Sequence, residues 1–452
     1  MTEAILTSAR AAVAAAPPTG DTAYERYCRE LAESLAEHWP AVLEANAEDV
    51  AHAEQRGLPP VLLDRLRLTD AHLGRLERLT ETVLSELGEV TARDAGVPVG
   101  DWGVRLRAPK PLGVVFMVYE ARPTVTVEGA LLPVAVGNAV LLRGGKEIAR
   151  TNEALAAVVH KALQAAGLPA DLVTVLDDPD RAQLRALLKR PDAIDVLVPR
   201  GSPSLIDYCR GASSIPVIAS GGGVNHVYVH SSADLELAAE VALDSKLPEP
   251  TACNTAELIL VDAEAATGFV AALLRAAERD QRQVTVRLDP RVPRPHTDTD
   301  TDTDTGADTD TGADTDTGTG TDAGRPWRIA ELQEHDLGRE FLDATIGVYP
   351  VAGLDEALAH IRRHGSGHTE GVLATDSDVT REFTRRADAA AIVVNGSLRL
   401  HDGPTLGLGS EISISTGRMH VRGPVTLGSL ITHSWVVEAH GTLRSSVPAH
   451  HS

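Results

Sequence analysis

Cys253 is the residue of this chain best placed to act as a nucleophile. It lies in Pro248-Glu249-Pro250-Thr251-Ala252-Cys253-Asn254, just ahead of an apolar run that starts at Glu257. A catalytic thiol needs access, a polar neighbourhood and a position at a loop-to-strand junction. Here two prolines fix the approach of the chain, and the Asn254 amide offers a hydrogen-bond donor. A buried structural cysteine remains the commoner case, and Cys28 and Cys209, both in helical stretches, read that way. Three widely spaced cysteines without a CxxC pair make neither a disulfide scaffold nor a zinc ribbon.

Three glycine clusters carry a second kind of chemistry. Gly144-Gly145 (within Arg143-Gly144-Gly145-Lys146), Arg200-Gly201 and Gly221-Gly222-Gly223 are turns in one α/β region. Backbone amides without side chains can converge on an anion, so a nucleotide or phosphoryl ligand is expected. Neither GxGxxG nor GxxxxGK[ST] occurs in a suitable place, which excludes a standard dinucleotide fingerprint and a P-loop kinase. Glu120 and Arg122-Pro123 follow the apolar run Leu112–Val118, at the strand end where open α/β sheets receive ligands. His364 and His368 are four apart, but Gly365 and Gly367 break any helix between them, so no metal pair and no metal is expected. His420 and Arg422 flank the glycine-rich stretch Gly403–Gly428, which must be held by other elements or by another subunit.

The elements that must position these residues follow from periodicity. Asp21 to about Thr91 reads as helices, with Leu31, Leu35, Trp39, Val42 and Leu43 on one face. Strands are expected at Leu112–Val118, Ala139–Leu142, Leu172–Leu176, Ile194–Val198, Ile215–Ile218, His226–Val229, Glu257–Val261, Val284–Leu288, Ile346–Val351, Ala390–Val394 (buried) and Thr432–Val437. Helices are expected at Thr151–Ala166, stopping at Gly167, and at Asp234–Leu243, Gly268–Ala277 and Leu354–Arg363. Strands alternating with helices imply an α/β protein with a mostly parallel sheet covered on both faces.

The chain has 452 residues, 43% of them hydrophobic, enough for two or three cores, because single cores stop growing at roughly 250 to 300 residues. A formal net charge of -22 repels phosphate backbones, so nucleic acid is not an expected partner. Nine of the acidic residues sit in a Thr-Asp tract, 297–324, which has almost nothing to bury and is expected to be a disordered surface insertion rather than a calcium site. No apolar run reaches 18 residues and Met1–Pro18 lacks the apolar core of a signal peptide, so no membrane span and a cytoplasmic location are expected.

Several segments are jointly specific: GVVFMVYEARPTVTV (Gly113–Val127), GNAVLLRGGKE (Gly137–Glu147), VPRG (Val198–Gly201), HVYV (His226–Val229), Cys253-Asn254, LDEALAHIRRHGSGHTE (Leu354–Glu370) and LGLGSEISISTGRMHVRGP (Leu406–Pro424). From about residue 20 to the end, the tract excepted, the chain resembles the gamma-glutamyl phosphate reductase (glutamate-5-semialdehyde dehydrogenase) family of the aldehyde dehydrogenase superfamily. The resemblance implies an aldehyde dehydrogenase-like α/β fold. Early helices and a cofactor-binding domain span 1–225, and a catalytic domain spans 226–385 with the insertion. Residues 386–452 return to the cofactor domain as a β oligomerisation tail, in a homo-oligomer.

It further implies NADPH-dependent reduction of L-glutamyl 5-phosphate to L-glutamate 5-semialdehyde and phosphate, the second step of proline synthesis from glutamate, with a functional link to glutamate 5-kinase. Cys253 is then the nucleophile, with Asn254 and nearby backbone N–H groups on the oxyanion. Arg143, Gly144, Gly145, Lys146, Arg200, Gly201, Gly222 and Gly223 fall to the cofactor, and Glu120, Arg122 and Thr124 to the acyl phosphate. Arg122, Arg143 and Lys146 are not apportioned between substrate and cofactor phosphates. The Gly221–Asn225 segment stands where aldehyde oxidisers carry a basic glutamate, which a phosphate leaving group makes unnecessary. The chain departs from the family's pattern at Thr124, Ser202, Asn225, Glu249, Leu398, Leu400 and Ser413. An acid at Glu249, beside the thiol, is expected to disfavour thiolate and repel an anionic substrate. These departures keep two alternatives open: a reductase of the same mechanism for another acyl phosphate, and a catalytically impaired scaffold.

Overall fold

The computed structural model describes residues 2–176, 180–247, 249–294 and 324–447. The Thr-Asp tract, apart from Gly324, and Pro248 lie outside the described residues. No helix among the described residues is long and apolar enough to cross a membrane. The chain forms two compact units, residues 1–220 with 406–452, and residues 221–405.

The first unit is built on a four-stranded parallel sheet in the order Val173–Val175, Ala139–Arg143, Val114–Tyr119, Val196–Arg200. Every residue of Val114–Tyr119 is buried, as a central parallel strand covered on both faces requires. The helix Thr124–Ala135, almost wholly buried, follows it. It went unread in the sequence because an apolar helix without a polar face has no 3.6-residue period to detect. The helix Ala149–Ala166 ends at Gly167, whose φ of 75° is the left-handed cap a glycine tolerates. Thr22–Gln55 starts where the Asp21 carboxylate accepts the Ala23 N–H.

Ile215–Ile218 does not form the expected strand. Only an isolated bridge, Leu197 to Val217, is made, because Pro216 has no N–H to extend the ladder. A separate antiparallel sheet, not foreseen as such, joins Val97–Val99, Gly103–Pro111 and the late strand Ile431–Glu438.

The second unit carries a seven-stranded sheet, all of whose ladders are parallel, in the order Trp327–Glu331, Val284–Leu288, Thr345–Val351, Ala256–Asp262, Asn225–Val229, Thr369–Leu373, Ala391–Val394. The pleat sends alternate residues to opposite cores. Val227, Val229, Ile259 and Val261 pack with the helices Leu235–Asp244 and Ala266–Arg279. Tyr228, Leu258, Leu260 and Val372 pack with Leu354–His364 and Ser377–Arg386.

Two expectations need correction. The second boundary between units falls at 405 rather than 385, because Ala391–Val394 adds to the sheet beside Thr369–Leu373. That strand is also an edge rather than a buried strand, with Val394 44% exposed.

Candidate active site

In the first unit the sheet brings Glu120, Arg143-Gly144 and Arg200-Gly201 to one edge, at the C-terminal strand ends. Chain order reverses between Val114–Tyr119 and Val196–Arg200, the crevice where such sheets take ligands. Glu120 fills part of that crevice. Its carboxylate accepts the Ser202 N–H at 2.9 Å, and its own N–H donates to the Arg200 carbonyl at 3.1 Å. Glu120 therefore holds the Arg200–Ser202 loop, which is a different task from the substrate contact expected of it. Ser202, one of the departures, accepts the Leu205 N–H and caps Pro203–Ala212.

Ala121, at φ 44°, turns the chain sharply so that exposed Arg122 precedes the helix that starts at Thr124. The N–H groups of a helix N-terminus favour an anion there. Glu147 accepts the Ala121 N–H at 3.0 Å. A Cβ on Gly144 would overlap the buried Asn152 amide, so that glycine is required by close approach, whereas one on Gly145 would displace the Glu147 carboxylate.

Lys146 lines a cavity of about 270 Å³ with Asp49, His52, Arg56, Glu147 and Arg150. The buried Asp49 carboxylate accepts the Thr151 N–H at 2.8 Å and its hydroxyl at 2.7 Å at the start of Ala149–Ala166, and of the lining cations Arg150 pairs with Glu48.

The three thiols separate cleanly. Burial pushes the Cys28 thiol up to about 12. Burial, reinforced by Glu120 and opposed by Arg143, pushes that of Cys209 up to about 11. Neither ionises near neutral pH, as their structural reading requires. Cys253 alone is partly exposed.

Cys253 lies in the second unit, in the turn that enters Ala256–Asp262, at the N-terminal edge of its sheet. A cycle of buried groups fixes this turn. The Asn225 amide donates to the carbonyls of Cys253 (2.8 Å) and Thr255 (2.7 Å), and its oxygen accepts the Thr369 N–H at 3.1 Å. The Thr369 hydroxyl meets His368 Nδ1 at 2.6 Å and His401 Nδ1 at 2.8 Å. The His401 carbonyl accepts from Asn254 Nδ2 at 3.1 Å, closing the cycle beside the thiol. Burial, then the charge of His368, pushes His401 down to about 4, so this imidazole is neutral at pH 7.

Asn254 is thus committed at both ends, because its oxygen accepts from Arg399. It is 4% exposed. In this arrangement it holds the turn, with one of its two amide hydrogens given to the His401 carbonyl. Gly222 and Gly223, expected with the cofactor glycines, belong to this second unit. A Cβ on Gly223 would overlap the Cys253 carbonyl, and the Gly223 N–H donates to Glu340 at 2.8 Å. Gly223→Ala is expected to displace the nucleophile turn and lower turnover at least about 100-fold, since a shift of about 1 Å in a reacting group costs that much. Equal rates for variant and parent in a steady-state assay would refute this.

Glu249 is not the bare negative charge its position implied. It pairs with Arg399 at 2.6 Å, which offsets its effect on the thiol. Deeper lies a second ion pair. Lys246 Nζ meets both Glu257 oxygens at 2.9 and 2.8 Å, and Glu257 also accepts the Phe341 N–H and the Thr255 hydroxyl. Burial pushes the Glu257 carboxyl up to about 7 against the opposing pull of Lys246.

Asn225 was noted only as a departure, and Lys246, Glu257, Thr369, Arg399 and His401 went unassigned. A charged residue in the second position of the apolar run AELILV was the one available signal. Among the described residues no group of three or more His, Cys, Asp or Glu is arranged to hold a metal ion.

A parallel-sheet unit with a crevice at its strand ends, and a second with a thiol in a locked turn, define an aldehyde dehydrogenase-type protein. The Aldehyde dehydrogenase family model matches residues 7–296. The gamma-glutamyl phosphate reductase of Salmonella dublin is 37% identical over 424 residues, which are 93% of this chain and 94% of that protein. The crystal structure of gamma-glutamyl phosphate reductase from Thermotoga maritima superposes with a TM-score of 0.82 at 30% identity, covering 98% of this chain and 99% of the other. An acetylating aldehyde dehydrogenase from Geobacillus thermoglucosidasius, 18% identical, shares the fold with a TM-score of 0.65, over 98% of this chain and 96% of its own. The chain belongs to the gamma-glutamyl phosphate reductase family. Its fold is that of the superfamily, with cofactor-binding and catalytic domains and a β region for oligomerisation.

Proposed function

We propose that this chain reduces L-glutamyl 5-phosphate to L-glutamate 5-semialdehyde and inorganic phosphate through a thioester on Cys253, with NADPH as reductant, in the second step of proline biosynthesis. The observation that carries this reading is the Cys253 turn, whose carbonyl and whose neighbour Asn254 are both anchored by buried partners while the thiol side stays accessible. The Cys253 thiolate attacks the acyl carbon, and the carbonyl electrons move to oxygen. Their return expels phosphate and leaves the acyl group on Sγ. Backbone N–H groups of the rigid turn stabilise the oxyanion without reorganising. When bound, the reduced nicotinamide supplies the hydride that takes the thioester to the aldehyde level, and the thiolate then departs.

The residues of the first unit fit a dinucleotide. Arg143, Gly144, Gly145, Arg200 and Gly201 lie at the sheet edge beside the crevice, and Lys146 and Arg56 line a cavity where they could meet a phosphate. Arg122 and the start of the helix at Thr124 are suited to the acyl phosphate. Phosphate needs no base to leave, which fits the glycines at 221–223. An acyl phosphate hydrolyses readily, so a glutamate 5-kinase is the natural supplier and functional partner. We place the chain in the cytoplasm, where thiols that form no disulfide stay reduced, and as a homo-oligomer. For the latter, Ile431–Glu438 pairs on one side only among the described residues and exposes Trp435 (62%) and Val437 (53%).

The test runs the reaction backwards with glutamate 5-semialdehyde, phosphate and NADP, following nicotinamide absorbance. Phosphate-dependent reduction of NADP, faster than that of NAD, is expected. Activity only with another aldehyde would reassign the substrate, and none with any aldehyde would overturn the reading.

A further inference from the structure

Two ion pairs lie near the nucleophile, and they differ in one respect. Lys246 and Glu257 are sealed, with side chains 0% and 2% exposed, whereas Arg399 keeps 24% and Glu249 keeps 60% of their exposure. A sealed pair can only support the fold. An open pair contributes little to stability, yet it can exchange partners with a ligand.

The open pair is also tied to the thiol. The Ala252 N–H donates to the Glu249 carbonyl at 3.1 Å, so the backbone from 249 to 252 folds into a turn that leads directly to Cys253. On the other side Cys253 is followed by Asn254, whose side-chain oxygen accepts from the same Arg399 guanidinium. One guanidinium thus holds the residues that flank the nucleophile and presents, with Glu249, a positive and a negative group side by side.

Resting on the reaction proposed above, we infer that Arg399 and Glu249 together read the α-amino acid head of the substrate, Arg399 its α-carboxylate and Glu249 its α-ammonium. The head lies three carbons from the reacting acyl carbon, so its site must be close to the thiol. A guanidinium is the group whose planar fork matches a carboxylate. An acid beside it adds what the guanidinium lacks, an acceptor for the ammonium. Because the pair is close to neutral as a whole, it does not repel the phosphate end of the same molecule. The pair also gives Glu249 a purpose. The acid next to the thiol distinguishes an amino acid from a plain carboxylic acid of the same length.

Three aldehydes separate the contributions in the phosphate- and NADP-dependent direction. Glutamate 5-semialdehyde has both charges, 5-oxopentanoate has only the carboxylate, and pentanal has neither. The parent protein is expected to rank them in that order by kcat/KM. Glu249→Gln is expected to shrink the preference for glutamate 5-semialdehyde over 5-oxopentanoate by about tenfold, the size of one charge-assisted hydrogen bond, mainly through KM. Arg399→Met is expected to shrink the preference for 5-oxopentanoate over pentanal by a similar factor. Unchanged ratios in both variants, or an equal loss with all three aldehydes, would overturn the inference and leave the pair a purely structural one. A parent that oxidises all three equally would overturn it too, with the activity intact. A parent inactive on all three would instead sink the reaction on which the inference rests.

Discussion

Cys253→Ala is expected to abolish phosphate-dependent reduction of NADP by glutamate 5-semialdehyde, a loss on the order of 10⁴-fold or more, as for other enzymes deprived of their nucleophile. The sulfur is the atom that holds the acyl group between loss of phosphate and arrival of hydride, and no neighbouring group can replace it. Asn254 and Asn225 are committed to the turn, and Cys28 and Cys209 are buried with thiols pushed up to about 12 and 11. The substitution removes one atom from a partly exposed position, so melting temperature and affinity for NADP should stay close to those of the parent. Alkylation with iodoacetamide provides the complementary measurement. At neutral pH it should label Cys253 and stop activity in step with labelling, while the other two thiols stay unmodified. A Cys253→Ala protein that still turned over at a tenth of the parental rate would refute the covalent mechanism.

Lys246→Met is expected to cost about 3 to 5 kcal/mol of stability, because it leaves a carboxylate buried without its counter-charge. For a unit of the size of residues 221–405 this lowers the melting temperature by roughly 10 °C. The two charges lie 2.8 Å apart with almost no exposure, so neither can turn to water when its partner is lost. The pH dependence has a definite sign. Burial already lifts the Glu257 carboxyl to about 7, above its ordinary 4.5, and loss of Lys246 removes the nearby positive charge that pulls it down most. A carboxyl raised in the folded state favours folding below its unfolded pKa and loses that contribution as pH rises through the folded one. The deficit of the variant should therefore be smallest near pH 5 and grow towards pH 8 in paired thermal melts.

Adding Glu257→Gln should recover much of the loss, since the uncharged amide can keep its oxygen on the Phe341 N–H and turn its NH2 to the Thr255 hydroxyl, which already donates to the Ala252 carbonyl. A melting temperature within 1 °C of the parent at pH 8, or a deficit independent of pH, would contradict the role given to this pair. Because Glu257 accepts from Thr255, two residues beyond Cys253, the single variant should lose turnover as well.

The alternation of strands and helices made the α/β architecture legible, and most elements stand within two residues of where periodicity places them. Val114–Tyr119, Ala139–Arg143 and Asn225–Val229 are short apolar runs bounded by turn residues, a signal that local chain stiffness and burial suffice to produce. Thr124–Ala135 was missed because burial on all sides erases the amphipathic pattern. Ile215–Ile218 was overread because hydrophobicity does not reveal that Pro216 cannot extend a ladder.

The candidate site divides in the same way. Cys253 and the glycine turns were visible because their chemistry is local: a thiol before a strand, and a backbone left bare. The tasks of Asn254, Glu120 and Gly223 were not, because they depend on partners far along the chain. Asn254 meets Arg399 and the His401 carbonyl, Glu120 meets Ser202, and Gly223 meets the Cys253 carbonyl. Glu249 shows the difference most directly. By sequence alone it is an acid four residues from a nucleophile, and its charge opposes thiolate. In the fold it faces Arg399, 150 residues away, and the pair is nearly neutral. Sequence determined which groups exist and which stretches bury themselves. Only the tertiary structure decided which charges meet, because Coulomb energies depend on distance in space and on burial, and neither is written in the order of the residues.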